Sequence, residues 1–202
     1  MRSDRSLVVD WDGTVTERDI LERVVLEFGD PQVYVRTEAE LGRTLTHDDV
    51  LAIEVGTVRA PIDDVVDFVV REARLRRGFR ELAARRRPLV VSAGFHELIE
   101  PVLARDGIEV DLRANRVDAR PDGWRVRFRE TARCENCGEA CKRLALPAGQ
   151  VVFVGDGYSD RCAALAAHRV FATDSLARYL DSVGAAYEPF EDFHDVAAAL
   201  AD

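Results

Sequence analysis

Three short apolar runs along the chain each end in small or acidic residues. Leu7-Val8-Val9 stops at Asp10-Trp11-Asp12-Gly13-Thr14, Leu89-Val90-Val91 at Ser92-Ala93-Gly94, and Val151-Val152-Phe153-Val154 at Gly155-Asp156-Gly157. β-Branched runs without polar alternation predict strands covered on both faces, as in a parallel sheet. With helical patterns between them, they predict an α/β architecture that gathers its chemistry at the C-terminal strand ends.

Between the first two runs lie roughly 75 residues, too many for a simple crossover. Asp19 to Phe28, Thr46 to Val55 and Pro61 to Leu75 carry apolar residues at three- and four-residue spacing, with Thr46 and Pro61 where helix starts favour them. Residues 16–77 are therefore expected to form a small helical cap inserted after the first strand, over a core of residues 1–15 and 78–202. Downstream, a helix is expected over Phe95 to Asp106, closed by Gly107, and a strand over Ile108 to Leu112. Pro121-Asp122-Gly123 marks a hairpin between Arg116 to Ala119 and Trp124 to Phe128. A helix at Ser159 to Ala166, a strand at Val170 to Ala172, and helices over Ser175 to Val183 and from Asp192 complete the pattern.

Composition narrows the function classes. The chain has 202 residues, 47% of them hydrophobic and 32% charged, which suits one core with one appendage. A net charge of -9 opposes general association with nucleic acid or an anionic membrane surface. The seven arginines from Arg74 to Arg87 punctuate Leu75, Phe79, Leu82 and Ala83 at helical spacing, and read as a solvated helix face. No run of 18 apolar residues occurs, and Met1 to Ser6 lacks the features of a signal peptide, so a cytoplasmic location is expected. In that compartment the four cysteines should not form structural disulfides.

Asp10 and Asp12, one residue apart at a strand end, point to the same side. One ionised and one protonated carboxyl held close together could attack phosphorus and protonate the leaving oxygen, respectively. Alone, this would be an acidic turn, and Asp156 with Asp160 would be helix-capping acids. Together, Asp10, the Asp12 backbone carbonyl, Asp156 and Asp160 form a hard oxygen set of the type Mg²⁺ accepts. Ser92 and Thr14 offer hydroxyls to a phosphate, and Ala93 and Gly94 offer backbone N–H groups at the start of the following helix. Of 28 basic residues, Lys142 is the only lysine. A compact ammonium at that position could balance Asp10 and the transferring phosphoryl oxygens.

These residues, Asp10-Trp11-Asp12-Gly13-Thr14, Ser92, Lys142 and Gly155-Asp156-Gly157-Tyr158-Ser159-Asp160, occur in the order of the four motifs of the haloacid dehalogenase superfamily. Asp12, two positions after Asp10, resembles the phosphatase branch. The helical insertion and the Ala114-Asn115-Arg116 segment resemble the phosphoserine phosphatase-like group, and the methionine-salvage phosphatase that acts on an enol phosphate shares the motif set and cap type. The resemblance implies a Rossmann-like sheet with helices on both faces, and Mg²⁺-dependent hydrolysis of a small phosphorylated metabolite through an aspartyl phosphate. Asp10 would be nucleophile and metal ligand, Asp12 acid and base, Ser92 and Lys142 phosphate ligands, Asp156 a direct metal ligand and Asp160 its support.

Two features limit the substrate reading. A phosphoserine phosphatase carries a cap acid, which Glu17 or Asp19 could supply, and a cap arginine. Near the expected place stands Ile53-Glu54-Val55 before Arg59, so phosphoserine is not favoured. The second feature is Cys134, Cys137 and Cys141 immediately before Lys142, similar to relatives acting on phosphocholine, phosphoethanolamine or pyridoxal phosphate. With Cys162 these thiols could hold a structural Zn²⁺, form a redox-sensitive pair, or pack reduced. Two further readings stay open: a phosphotransferase passing its phosphoryl group to an alcohol, and an inactive core serving as a binding module with the cysteine cluster as its working part.

Overall fold

A computed structural model describes residues 5–201; residues 1–4 and 202, at the two ends of the expected core, lie outside the described residues. Seven strands form one sheet among the described residues: β1 (Ser6–Val9), β2 (Leu89–Phe95), β3 (Asp111–Asp118), β4 (Arg125–Arg127), β5 (Val151–Gly155), β6 (Arg169–Ala172) and β7 (Glu188–Pro189). Their order is β4-β3-β2-β1-β5-β6-β7. All neighbours run parallel except β3 and β4. From β1 the chain builds outward in one direction through β2 and β3, and later in the other through β5 and β6. The ends of β1, β2 and β5 therefore flank the point where strand order reverses, which is where open α/β sheets place their ligands.

Alternation along the strands divides the core in two. Leu7, Val9, Val90, Val152 and Val154 belong to one cluster of buried residues, with Leu82, Ile99, Val102 and Phe193. Val8, Val91, Val151 and Phe153 belong to the other, with Ala163, Ala164, Leu176 and Leu180. Each strand thus buries both faces, as its unbroken apolar sequence requires. The first face is covered by α5 (Phe79–Arg86), α6 (His96–Arg105) and α9 (Phe193–Ala199), the second by α7 (Arg161–Ala164) and α8 (Asp174–Val183).

Between β1 and α5 lie four helices, α1 (Ile20–Phe28), α2 (Pro31–Glu40), α3 (His47–Val55) and α4 (Ile62–Glu72). Their starts are chemically marked. The Asp19 carboxylate accepts from Glu22 N at 2.8 Å, and Thr46 and Asp49 cap α3 reciprocally. The segment enters and leaves through a short antiparallel contact between Thr16 and Leu75, where Glu17 N donates to Arg74 O at 2.9 Å and Arg76 N to Val15 O at 2.8 Å.

Three details differ from the sequence reading. The arginine-rich stretch is not one helix: α5 begins only after Gly78, Leu75 belongs to the Thr16 contact, and the Arg76 guanidinium donates to Thr14 O at 2.9 Å. The strand expected to end at Leu112 continues to Asp118, because β3 exchanges its parallel partner β2 for the antiparallel β4 partway along. The helix expected over Ser159 to Ala166 is a 3₁₀ turn, Tyr158–Asp160, followed by the single turn of α7.

Candidate active site

The floor of the site is assembled from three strand ends and one turn. Asp10 remains tied to the sheet, its N–H donating to Val154 O at 2.9 Å, and the chain then enters a wide turn over Trp11–Val15. Gly13 has φ +73, and a Cβ there would stand 2.4 Å from Asp156 Oδ2. Glycine is thus required both by the backbone and by the carboxylate against it. The Asp156 carboxylate faces this turn, where its Oδ1 accepts from Thr14 Oγ1 at 2.7 Å.

Lys142 sits in a 3₁₀ turn, Lys142–Ala145, and is 3% exposed. Its Nζ donates to Asp10 Oδ1 and, at 2.7 Å, to Asp160 Oδ1. The other Asp160 oxygen accepts from the N–H groups of Asp156 and Gly157, both at 3.0 Å. Asp160 therefore spends both oxygens on the scaffold, while Asp10 and Asp156 keep acceptor capacity. One carboxylate oxygen from each of the three lies within 4.8 Å of the others.

Asp12 stands apart from that trio. Its Oδ1 accepts from Ile20 N at 3.1 Å, and its Oδ2 lies against Gly94, where a Cβ would come within 3.0 Å. Ser92, Ala93 and Gly94 occupy an irregularity in β2 between Val91 and Phe95, not the start of α6, which begins at His96. The Gly94 N–H donates to Ser92 Oγ at 2.8 Å. Asn115, from the segment noted in the sequence, and Arg129, which was not singled out, hold this loop: Asn115 Nδ2 donates to Ala93 O at 2.8 Å and Arg129 Nη1 to Ser92 O at 2.8 Å.

So many buried acids with one ammonium raise each other's proton affinity. Burial, then Asp160, pushes Asp10 well above the carboxylate range, and burial, then Asp19, does the same for Asp12. Asp156 is raised to about 6, again by burial first and Asp160 second. Burial lowers the proton affinity of Lys142, but Asp10 and Asp160 outweigh it and raise the ammonium above the ordinary lysine range. Burial, with Lys142 nearby, lowers His47 to about 4, so its imidazole is neutral at pH 7. The donor set is all oxygen, doubly acidic where Asp10 meets Asp156, and short of positive charge, which fits Mg²⁺.

Above this floor lies a cavity of about 280 Å³, lined below by Asp10, Asp12, Ser92, Lys142 and Asp156. Its roof comes from α1, α2 and α3: Asp19, Leu21, Glu22, Tyr34, Glu38, Val50, Leu51 and Glu54. Glu54, 7% exposed, accepts from Thr37 Oγ1 at 2.5 Å, and burial raises it to about 7. No arginine lines this cavity among the described residues. Arg59 donates to Thr57 O at 3.2 Å, outside the cavity lining, and Glu17 lines a separate small cavity with Arg23 and Arg74.

A family model for haloacid dehalogenase-like hydrolases matches residues 7–165. The chain belongs to this family. The hydrolase is 29% identical to the 2-hydroxy-3-keto-5-methylthiopentenyl-1-phosphate phosphatase of Geobacillus thermodenitrificans, covering 97% of this chain and 95% of that protein. It is also 29% identical to the phosphatase of the same name from Exiguobacterium sibiricum, over 94% and 93% of the two chains. Among solved structures, a phospho-aspartyl intermediate analogue of phosphoserine phosphatase aligns with a TM-score of 0.70 at 18% identity, over 98% of this chain and 99% of that one. A substrate-bound phosphoserine phosphatase aligns with a TM-score of 0.71 at 16% identity and the same coverage. The structural likeness carries the fold; the family and its full-length relatives make the protein a phosphoric monoester hydrolase.

Of the residues selected from sequence, Asp10, Asp12, Ser92, Ala93, Gly94, Lys142 and Asp156 all line the one cavity. Asp160 stands behind Lys142. Thr14 does not line the cavity; fully buried, it braces Asp156 from below. Cys134, Cys137, Cys141 and Cys162 are free thiols gathered in a second cluster, their Sγ atoms within 4.8 Å of one another. The acidic roof was missed except for Asp19. A signal existed in Glu54, a lone acid between the apolar Ile53 and Val55 on a helix.

Proposed function

We propose that Asp10 is the nucleophile of this hydrolase and that its substrate is a small phosphate monoester with no second anionic group. The observation that carries the reading is Lys142, which is clamped between Asp10 and Asp160 at the cavity floor and so leaves Asp156 facing the same space. An Asp10 oxygen would attack phosphorus in line with the leaving oxygen, and Asp12, whose proton affinity burial raises, would donate a proton to that oxygen. The resulting Asp12 carboxylate would then take a proton from water as that water attacks the aspartyl phosphate. Lys142 and the Ser92 hydroxyl would hold the phosphoryl oxygens.

Asp10, Asp156 and the backbone carbonyl of Asp12 would hold Mg²⁺, whose charge lets a phosphate dianion approach two carboxylates. Residues 16–77 would serve as the cap and set the substrate, with residues 1–15 and 78–202 as the core.

The roof supports an enol phosphate over phosphoserine. Asp19, Glu22, Glu38 and Glu54 would repel a substrate carboxylate, and no arginine in the lining would pair with it. The substrate in the relatives' name, 2-hydroxy-3-keto-5-methylthiopentenyl-1-phosphate, carries hydroxyl, ketone and thioether groups and no charge besides the phosphate. Leu21, Leu41, Val50 and Leu51 offer its tail apolar surface. The test is phosphate release with Mg²⁺ from that compound, phosphoserine, amino-alcohol phosphates, pyridoxal phosphate and sugar phosphates. The enol phosphate should give the highest kcat/KM, and chelation should abolish release. A preference for phosphoserine would overturn the substrate reading, and product analysis with added alcohols separates hydrolysis from phosphoryl transfer.

A further inference from the structure

Residues 129–143, Arg-Glu-Thr-Ala-Arg-Cys-Glu-Asn-Cys-Gly-Glu-Ala-Cys-Lys-Arg, hold no apolar side chain larger than alanine apart from the cysteines. From 129 to 141 they contain no helix or strand. A loop of this length has little with which to anchor itself. Yet it delivers Lys142, one of the most buried charges of the molecule, to the site floor directly after Cys141. Something other than hydrophobic packing must fix it.

The cysteines are arranged to do so. Cys134, Cys137 and Cys141 come from the loop and Cys162 from α7, and all four Sγ atoms lie within 4.8 Å of one another. Cys134 Sγ and Cys162 Sγ are 3.7 Å apart, far beyond a disulfide bond. Sulfurs held tetrahedrally about 2.3 Å from one zinc ion stand about 3.8 Å from each other.

The backbone is shaped around the sulfurs as well. Cys134 O accepts from Gly138 N at 2.8 Å, and Gly138 has φ +75, so the chain turns back tightly after Cys137. Cys134 N donates to Glu139 O at 2.9 Å and closes the loop. Arg129, Arg143 and Arg161 line the same cavity as Cys137, Cys141 and Cys162, and would balance the surplus negative charge of four thiolates on one divalent ion.

We propose that Cys134, Cys137, Cys141 and Cys162 bind one structural Zn²⁺ ion, and that this closed four-thiolate site anchors the loop that holds Lys142 against Asp10 and Asp160. Four thiolates leave no open position, so the ion takes no part in the chemistry. Its effect on turnover rests on the role proposed above for Lys142; the metal site itself does not.

The test is elemental analysis of the full chain, purified without chelators or metal-affinity resin. Wild type and Asp10→Asn should each contain about one zinc per chain, and Cys134→Ser and Cys162→Ser less than about a tenth of that. Because a variant that fails to fold would also lose zinc, wild type is additionally titrated with a mercurial reagent, which should release one zinc as four thiols react. Wild type with less than about a tenth of an equivalent of zinc, with iron in its place, or with four thiols that react freely without releasing metal, would overturn the site. For the anchoring role, zinc-depleted protein that keeps its circular dichroism should lose kcat with KM little changed, and added Zn²⁺ should restore it. Undiminished kcat in folded, zinc-free protein would overturn that role.

Discussion

The floor and the roof of the cavity are built on different terms. On the floor, Asp10, Lys142 and Asp160 form one buried, mutually bonded chain, and Thr14 braces Asp156 from below. On the roof, Asp19, Glu22, Glu38 and Glu54 come from three helices and meet as like charges, with the Tyr34 hydroxyl donating to Glu22 and the Thr37 hydroxyl to Glu54. A rigid floor holds reacting groups in one geometry, which is what phosphoryl transfer demands. A roof of unpaired acids is suited instead to exclusion, since it makes one kind of substrate costly to bind.

On this division, floor substitutions act on kcat and stability, and roof substitutions on selectivity and pH dependence. The largest effect belongs to Asp10→Asn, expected to lower kcat for an aryl phosphate by about 10⁴-fold or more while circular dichroism is unchanged. Retained turnover would move the nucleophile elsewhere. Next is Lys142. Lys142→Met leaves Asp10 and Asp160 buried without their cation and should cost about 3–5 kcal/mol in urea denaturation. Lys142→Arg keeps the charge but not the shape, and should still lower kcat by about 10²-fold. Equal activity in the arginine variant would show that the floor tolerates a second geometry.

The roof predictions are smaller. Glu54 has its folded pKa raised from 4.5 to about 7, so the folded state holds a proton that the unfolded chain releases first. Its influence therefore lowers stability as pH rises from about 4.5 to 7 and is constant above that. Glu54→Gln should match wild type near pH 4 and exceed it by about 2 kcal/mol at pH 8. Parallel stability curves for the two proteins would remove Glu54 from the charged roof. Smallest is Glu38→Gln, expected to raise kcat/KM for phosphoserine about 2–5-fold without changing that for an aryl phosphate. An equal change for both substrates would argue that the roof does not select by charge.

The same contrast explains what was legible in the sequence. The parallel sheet follows from apolar runs with acidic or small ends, and Asp10, Asp12, Lys142 and Asp156 stood out because each lies at a strand end or, for Lys142, is the sole lysine of the chain. The roof was not legible, because which face of α1, α2 or α3 looks down depends on how the helices sit over the sheet. Glu22 and Glu38 resemble ordinary solvated acids until that geometry is known. The contacts of Thr14 and Gly94 were not legible either, for a local reason. Each has a near partner, Asp156 and Ser92, that occupies the group expected to face the phosphate. The break-up of the arginine stretch likewise depends on a tertiary contact, between Thr16 and Leu75.

The central claim is that Asp10 carries the phosphoryl group during turnover. Asp12→Asn, which cannot activate the second-step water, should accumulate that intermediate with an aryl phosphate and Mg²⁺, since such a leaving group needs little protonation. After acid quenching, peptide mass spectrometry should find one phosphoryl group per chain on the peptide containing Asp10, and none in the Asp10→Asn, Asp12→Asn double variant. A phosphoryl group on any other residue, or no protein-bound phosphate while phosphate is still released, would contradict the account.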